Sequence, residues 1–186
     1  MECSPRTVGD VSGIGFFFAQ QLHTELGVPI GVLQSFWGRS RIEAWTSKEA
    51  LESQPALKPI LHSWDNEFAS YDAETANADY QRELMRWKKL VVAAENENRK
   101  TFQRPKKPAD PRTSQHRPAC LFNGMIATLI PFRIRGVISY QGLGNIYWAE
   151  HSRVLLPDII RGWRSRCGQG AFAFGKVQPA SYLCDR

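Results

Sequence analysis

No stretch of this 186-residue sequence approaches eighteen consecutive apolar residues, so no run in it is suited to cross a bilayer as a helix. No charged n-region followed by an apolar h-region opens it, so no signal peptide is visible. Cysteine is sparse: Cys3, Cys120, Cys167 and Cys184 lie far apart and form no C-x-x-C pair, which argues against a zinc site. Spacing alone leaves disulfide pairing and redox compartment open. No G-x-S-x-G elbow occurs, and none of His23, His62, His116 or His151 has an aspartate three residues before it. Isolated histidines of this kind more often pack or face solvent than catalyse. Carboxylates such as Glu43 and Asp158 have no evident partner for glycosidase chemistry. Ser12-Gly13-Ile14-Gly15 echoes a dinucleotide loop, but Phe18 stands where the third glycine belongs and only eleven residues precede it. No tyrosine is followed four residues later by lysine, and no internal repeat is evident.

The composition is that of a folded chain. It is 42% hydrophobic and 23% charged, with six Trp and ten Phe, which excludes disorder for its bulk. Its length suits one domain with a buried core. Lys and Arg number 24 against 18 Asp and Glu, a net +6 with a pI near 9.3. The excess collects in Arg99, Lys100, Arg104, Lys106, Lys107, Arg112 and Arg117, interleaved with Pro105, Pro108, Pro111 and Pro118. Four prolines exclude a groove-binding helix there. Residues 99–118 therefore read as a solvated basic linker, and no nucleic-acid partner is expected.

Apolar residues at Ile14, Phe17, Phe18, Leu22 and Leu26 recur at three and four, predicting a helix stopped by Gly27 and Pro29. Val28–Ser35 reads as a short buried strand ending in Phe36-Trp37-Gly38. Residues 57–98 repeat Trp64, Phe68, Tyr71, Tyr80, Leu84, Trp87, Val91 and Ala94 at helical spacing. They predict one long or two shorter helices, an insertion packing one face on the core. Ile134–Tyr140 is a second strand and Phe172–Val177 a third, with a helix carrying Trp148, Leu155, Leu156, Ile159 and Trp163 between them. Arg161, Arg164 and Arg166 lie near that helix's C-terminal end. Strand, helix, strand at this spacing implies parallel pairing and an α/β fold.

Ligands in open α/β sheets collect at the carboxyl ends of strands. Two such ends carry small and polar residues here, Ser35–Ser40 and Gln141–Asn145. An asparagine amide beside exposed backbone donors is the equipment of an oxyanion hole. Equally open is a plainer reading, two glycine-containing loops with an asparagine holding a turn.

Val11–Leu22, Val28–Ser47, Pro118–Tyr140 and Gln141–Asn145 together resemble the sialate O-acetylesterases, SGNH-type esterases that remove O-acetyl groups from sialic acids. The strings F-N-G-M-I at 122–126 and I-R-G-V-I-S-Y-Q-G at 134–142 carry most of the likeness. The resemblance implies a three-layer α/β/α domain with a mainly parallel, flavodoxin-like sheet, interrupted by the helical insertion at about 57–98. It also implies an acyl transfer to water by a serine and a histidine, and an O-acetylated sialic acid or related sugar as substrate. No cofactor or metal is implied. Carried across, Gly38 and Asn145 match the oxyanion positions, and Trp37, Gln141 and Gly142 the flanks of their motifs. Arg39 replaces the second glycine of W-G-G and, as a bidentate donor, is placed to meet a sialic carboxylate. Leu143 replaces an acidic residue, Gly144 a small polar one and Ser139 a Trp. Neither the family's G-Q-S-N nucleophile nor its D-x-x-H base has a counterpart in residues 1–186, so the expectation is a single, incomplete domain, the central part of the family's own. An alternative is a non-catalytic carbohydrate-binding remnant of that fold. The resemblance is compatible with a secreted or periplasmic protein; oligomeric state is left open.

Overall fold

The computed structural model describes residues 3–97, 99–100, 102–141, 144–145 and 149–178, with residues 149–151 as backbone. The architecture is mostly helical, with one small parallel sheet. Helix α1, Gly13–Leu26, starts where the Ser12 hydroxyl accepts the Gly15 N–H and ends where Gly27 turns left-handed at φ 65°. The six-residue α2, Lys48–Ser53, is capped in the same way by Ser47. The helical stretch predicted beyond residue 57 is two helices, α3 at Lys58–Ser70 and α4 at Ala73–Asn96, the latter capped by Asp72. Helix α5, Ala149–Cys167, connects β1, Gly136–Ser139, to β2, Ala173–Lys176. The strands pair in parallel, Gly136 opposite Ala173 and Ser139 opposite Lys176.

The core lies beside the sheet. Ile42, Ala44 and Trp45 of a 3-10 turn meet Leu51 of α2, Ile60 and Trp64 of α3, Leu121, Phe122 and Ile126, and Leu155 and Ile159 of α5. Phe122–Ile126 forms a π-helical turn that drives Phe122 and Ile126 inward together. The arginines of α5 serve tertiary contacts. Arg164 donates to the Phe172 carbonyl at 2.6 Å, fastening the entry to β2, while Arg161 pairs with Asp158 and Arg166 with Glu49. The aromatic stripe divides: Trp64 is buried on α3, whereas on α4 only Ala94 is buried and Tyr80, Leu84 and Trp87 are half-covered.

One predicted element does not form. Val28–Ser35 joins no ladder, and Val32 and Leu33 stand 45% and 53% exposed. An apolar run becomes a strand only where a neighbour supplies hydrogen bonds, and no described residue does so. Its Gln34 instead caps the start of α1, accepting the Ser12 N–H and donating to the Asp10 carbonyl. The basic linker is largely exposed as expected, but Pro111 is fully buried, and Arg99 and Arg112 are spent on Glu97 and Asp110. Cys3, Cys120 and Cys167 are free thiols; Cys184 lies outside the described residues. No helix among the described residues is long and apolar enough to cross a membrane.

Leu155 is wholly buried at the centre of the core. Leu155→Ala is expected to destabilise the fold by about 2–5 kcal/mol, read as a Tm lowered by roughly 5–15 °C in thermal denaturation.

Candidate functional site

The two loops singled out in the sequence meet. Gln141 Nε2 donates to the Ser40 carbonyl at 2.8 Å. Gly144 passes so close that a Cβ there would lie 2.6 Å from the same carbonyl oxygen, a contact only glycine permits. Beside it, the Asn145 amide is held at both ends by consecutive residues. Its Oδ1 accepts the Ile42 N–H at 2.9 Å and its Nδ2 donates to Glu43 Oε2 at 2.9 Å. Asn145 is 3% exposed and Glu43 wholly buried. The amide thus braces the 3-10 turn Ile42–Trp45. A primary amide carries two N–H protons, and one of those on Asn145 Nδ2 meets no acceptor among the described residues.

A third segment, unmarked by any motif, closes on the same place. The Ala119 N–H donates to the Glu43 carbonyl at 3.0 Å from a left-handed conformation, φ 61°. Trp37 Nε1 donates to Gln115 Oε1, and Gln115 Nε2 returns a bond to the Gly38 carbonyl at 3.0 Å. The Trp37 indole is therefore pinned while remaining 52% exposed. It walls a cleft of about 170 Å³ with Arg112, Ser114, Gln115, Arg117 and Cys120. Trp45 Nε1 and Ser40 Oγ continue the network to the Trp37 carbonyl.

Arg39 has φ 59°, left-handed backbone that glycine adopts freely and arginine does not. The residue that looked like a charge change in the pocket is first a backbone strain, and its side chain is exposed. Around Gly38 there is open space. Gly142 and Leu143 lie outside the described residues.

Buried polar atoms without partners gather here. Among the described residues they are Ser35 Oγ, Glu43 Oε1, His116 Nδ1 and Asp158 Oδ2, and the first three lie on the segments just described. Such atoms are rare in folded proteins and mark sites as often as flaws. His116, set aside in the sequence as an isolated histidine, is the residue that sequence reading missed. Desolvation holds its pKa below the ordinary 6.5, the Arg41 charge adds to the depression, and the Glu43 charge opposes it. No group of three metal-ligating side chains occurs among the described residues.

Two backbone predictions follow from this geometry. Gly144→Ala is expected to lower stability by about 1–3 kcal/mol, because backbone must move to admit the methyl group. Arg39→Gly is expected to melt no lower than the parent, while Arg39→Val loses roughly 1–2 kcal/mol. A third concerns pH. With a folded-state pKa below its unfolded one, His116 takes up a proton on unfolding, so its contribution is lost as pH falls through 6.5 toward the depressed value. Tm is expected to decline across that window and to decline less in His116→Phe. The lowered carboxyl pKa values of Glu49, Asp72 and Asp110 act only at lower pH, below their ordinary 4.5, 3.8 and 3.8.

No protein-family model matches the chain. The sialate O-acetylesterase of Rattus norvegicus is 26% identical over 193 residues, covering 93% of this chain and 30% of that protein. The Homo sapiens sialate O-acetylesterase is 26% identical over 181 residues, covering 93% of this chain and 26% of its own length. Among solved structures, a carbohydrate acetylesterase from Xanthomonas citri superposes with a TM-score of 0.57 at 28% identity, over 94% of this chain and 28% of that one. The chain spans less than a third of each of these three proteins. The chain is similar in sequence, along nearly its whole length, to sialate O-acetylesterases, and in sequence and fold to a carbohydrate acetylesterase.

Proposed function

We propose that this chain is the central part of a carbohydrate O-acetylesterase domain of the SGNH type, its sheet and helices one section of a three-layer α/β/α sandwich. The observation that carries the reading is the convergence of the 37–47 and 141–145 loops on Asn145, in a chain whose relatives are acetylesterases. The reaction is acyl transfer to water. A serine attacks the acetyl carbonyl, a histidine relays its proton, and negative charge develops on the carbonyl oxygen. The free Nδ2–H of Asn145 and backbone N–H near Gly38 are the donors for that charge, where preorganised dipoles stabilise the transition state more than the ground state. Trp37 and Gln141 line the sugar side, and Arg39 extends from its rim; Gly142, which the resemblance adds to them, lies outside the described residues. The substrate is an O-acetylated sialic acid or a related acetylated sugar.

None of the 186 residues matches the family's nucleophile or its D-x-x-H base. A second reading, binding of an acetylated sugar without hydrolysis, is favoured by the pinned and exposed indole of Trp37. The two readings part in one assay. The purified chain is expected to hydrolyse p-nitrophenyl acetate little above background while binding an O-acetylated sialoside, and to bind it more weakly in Arg39→Ala and Trp37→Ala. Turnover abolished by a single substitution within the chain refutes the expectation of inactivity; no binding by the parent chain refutes the carbohydrate reading.

A further inference from the structure

We propose that Glu43 is the positioning residue of Asn145, locking its amide so that one N–H is held by protein and the other is kept for the ligand; this rests on reading Asn145 as an oxyanion donor. An asparagine amide has two nearly isosteric ends, and its orientation is decided only by what each end meets. Here the Oδ1 end meets the Ile42 N–H and the Nδ2 end meets the Glu43 carboxylate, both at 2.9 Å. A flipped amide would set N–H against N–H and oxygen against carboxylate. Ile42 alone fixes one end of the amide; Glu43 makes the choice two-sided.

The setting of Glu43 matches an orienting role better than a stabilising one. Its side chain is wholly buried, yet Oε1 has no partner among the described residues. A buried carboxylate with one oxygen unsatisfied adds little net stability, although removing it alone leaves the Asn145 Nδ2–H without its acceptor. Its backbone is anchored separately, by the Ala119 N–H on the Glu43 carbonyl at 3.0 Å, so the turn does not rely on the carboxylate for its position. Carboxylate and amide belong to segments 102 residues apart, so the bond joins the two halves of the site.

The test uses the full chain, labelled with nitrogen-15, and reads the Asn145 side-chain amide by NMR. The parent is expected to show one Nδ2 proton slow to exchange with solvent and its geminal partner fast. Glu43→Gln, whose carbonyl still accepts, is expected to keep that pattern, and Glu43→Leu to lose it with the far-UV circular dichroism unchanged. Should Glu43→Leu fail to fold, Glu43→Asp withdraws the carboxylate by one methylene and is expected to lose the pattern too. Affinity for 9-O-acetyl-N-acetylneuraminic acid is expected to fall about tenfold in Glu43→Leu and to recover within about threefold in Glu43→Gln. A role in stability alone would lower Tm and leave that affinity unmoved. The proposal is overturned if the amide pattern survives in Glu43→Leu and Glu43→Asp, or if Glu43→Leu binds the sugar as the parent does. If the parent binds no sugar while its amide pattern depends on Glu43, the functional reading falls and the lock stands.

Discussion

A single buried contact, the Asn145 amide between Ile42 and Glu43, ties together segments that sequence keeps far apart. Beside it, among the described residues, the 37–47 loop receives one bond from Gln141 and the close approach of Gly144, while its Ile42–Trp45 turn packs into the core. The contact is polar and buried, so it gains little net free energy but is costly to leave half-made. It therefore specifies geometry more than it adds stability, while the apolar cluster around Leu51, Leu57 and Leu155 supplies the drive to fold.

Local pattern was enough for most of the elements. The three-and-four spacing in α1, α3 and α5 and the apolar runs of β1 and β2 are short-range signals, and each element forms where its pattern lies. The 35–40 loop meets Gln141, Gly144 and Asn145 although it follows no strand of the sheet, so the strand-end rule that singled it out is not what brings the two together. Val28–Ser35 was misread since its apolar run was taken as sufficient, whereas a strand is a property of a pair. Glu43 and His116 were illegible for a related reason. As isolated residues they have no spacing to detect, and their meaning comes from burial and from partners about a hundred residues away or on another loop.

Arg39 shows how a departure from a family pattern can be misjudged from side-chain chemistry. Its replacement of a glycine draws attention to a new positive charge, yet φ 59° makes the backbone the first casualty. With Ala119 at φ 61°, two non-glycine residues in the left-handed region flank the same turn. Strain concentrated where loops converge is what a site held in shape by its surroundings looks like, and the orphaned atoms Ser35 Oγ, Glu43 Oε1 and His116 Nδ1 occupy the same segments.

The run from Val28 to Trp37, largely exposed, and Phe17 and Phe18 on α1 beside it present apolar surface of the protein to solvent. Its net +6 keeps molecules apart only through charge repulsion, which dissolved ions screen within about 10 Å at moderate ionic strength. Strongly hydrated salts such as sulfate also strengthen apolar burial. Both effects act in the same direction, so added salt strengthens the tendency of this run to be covered by another apolar face.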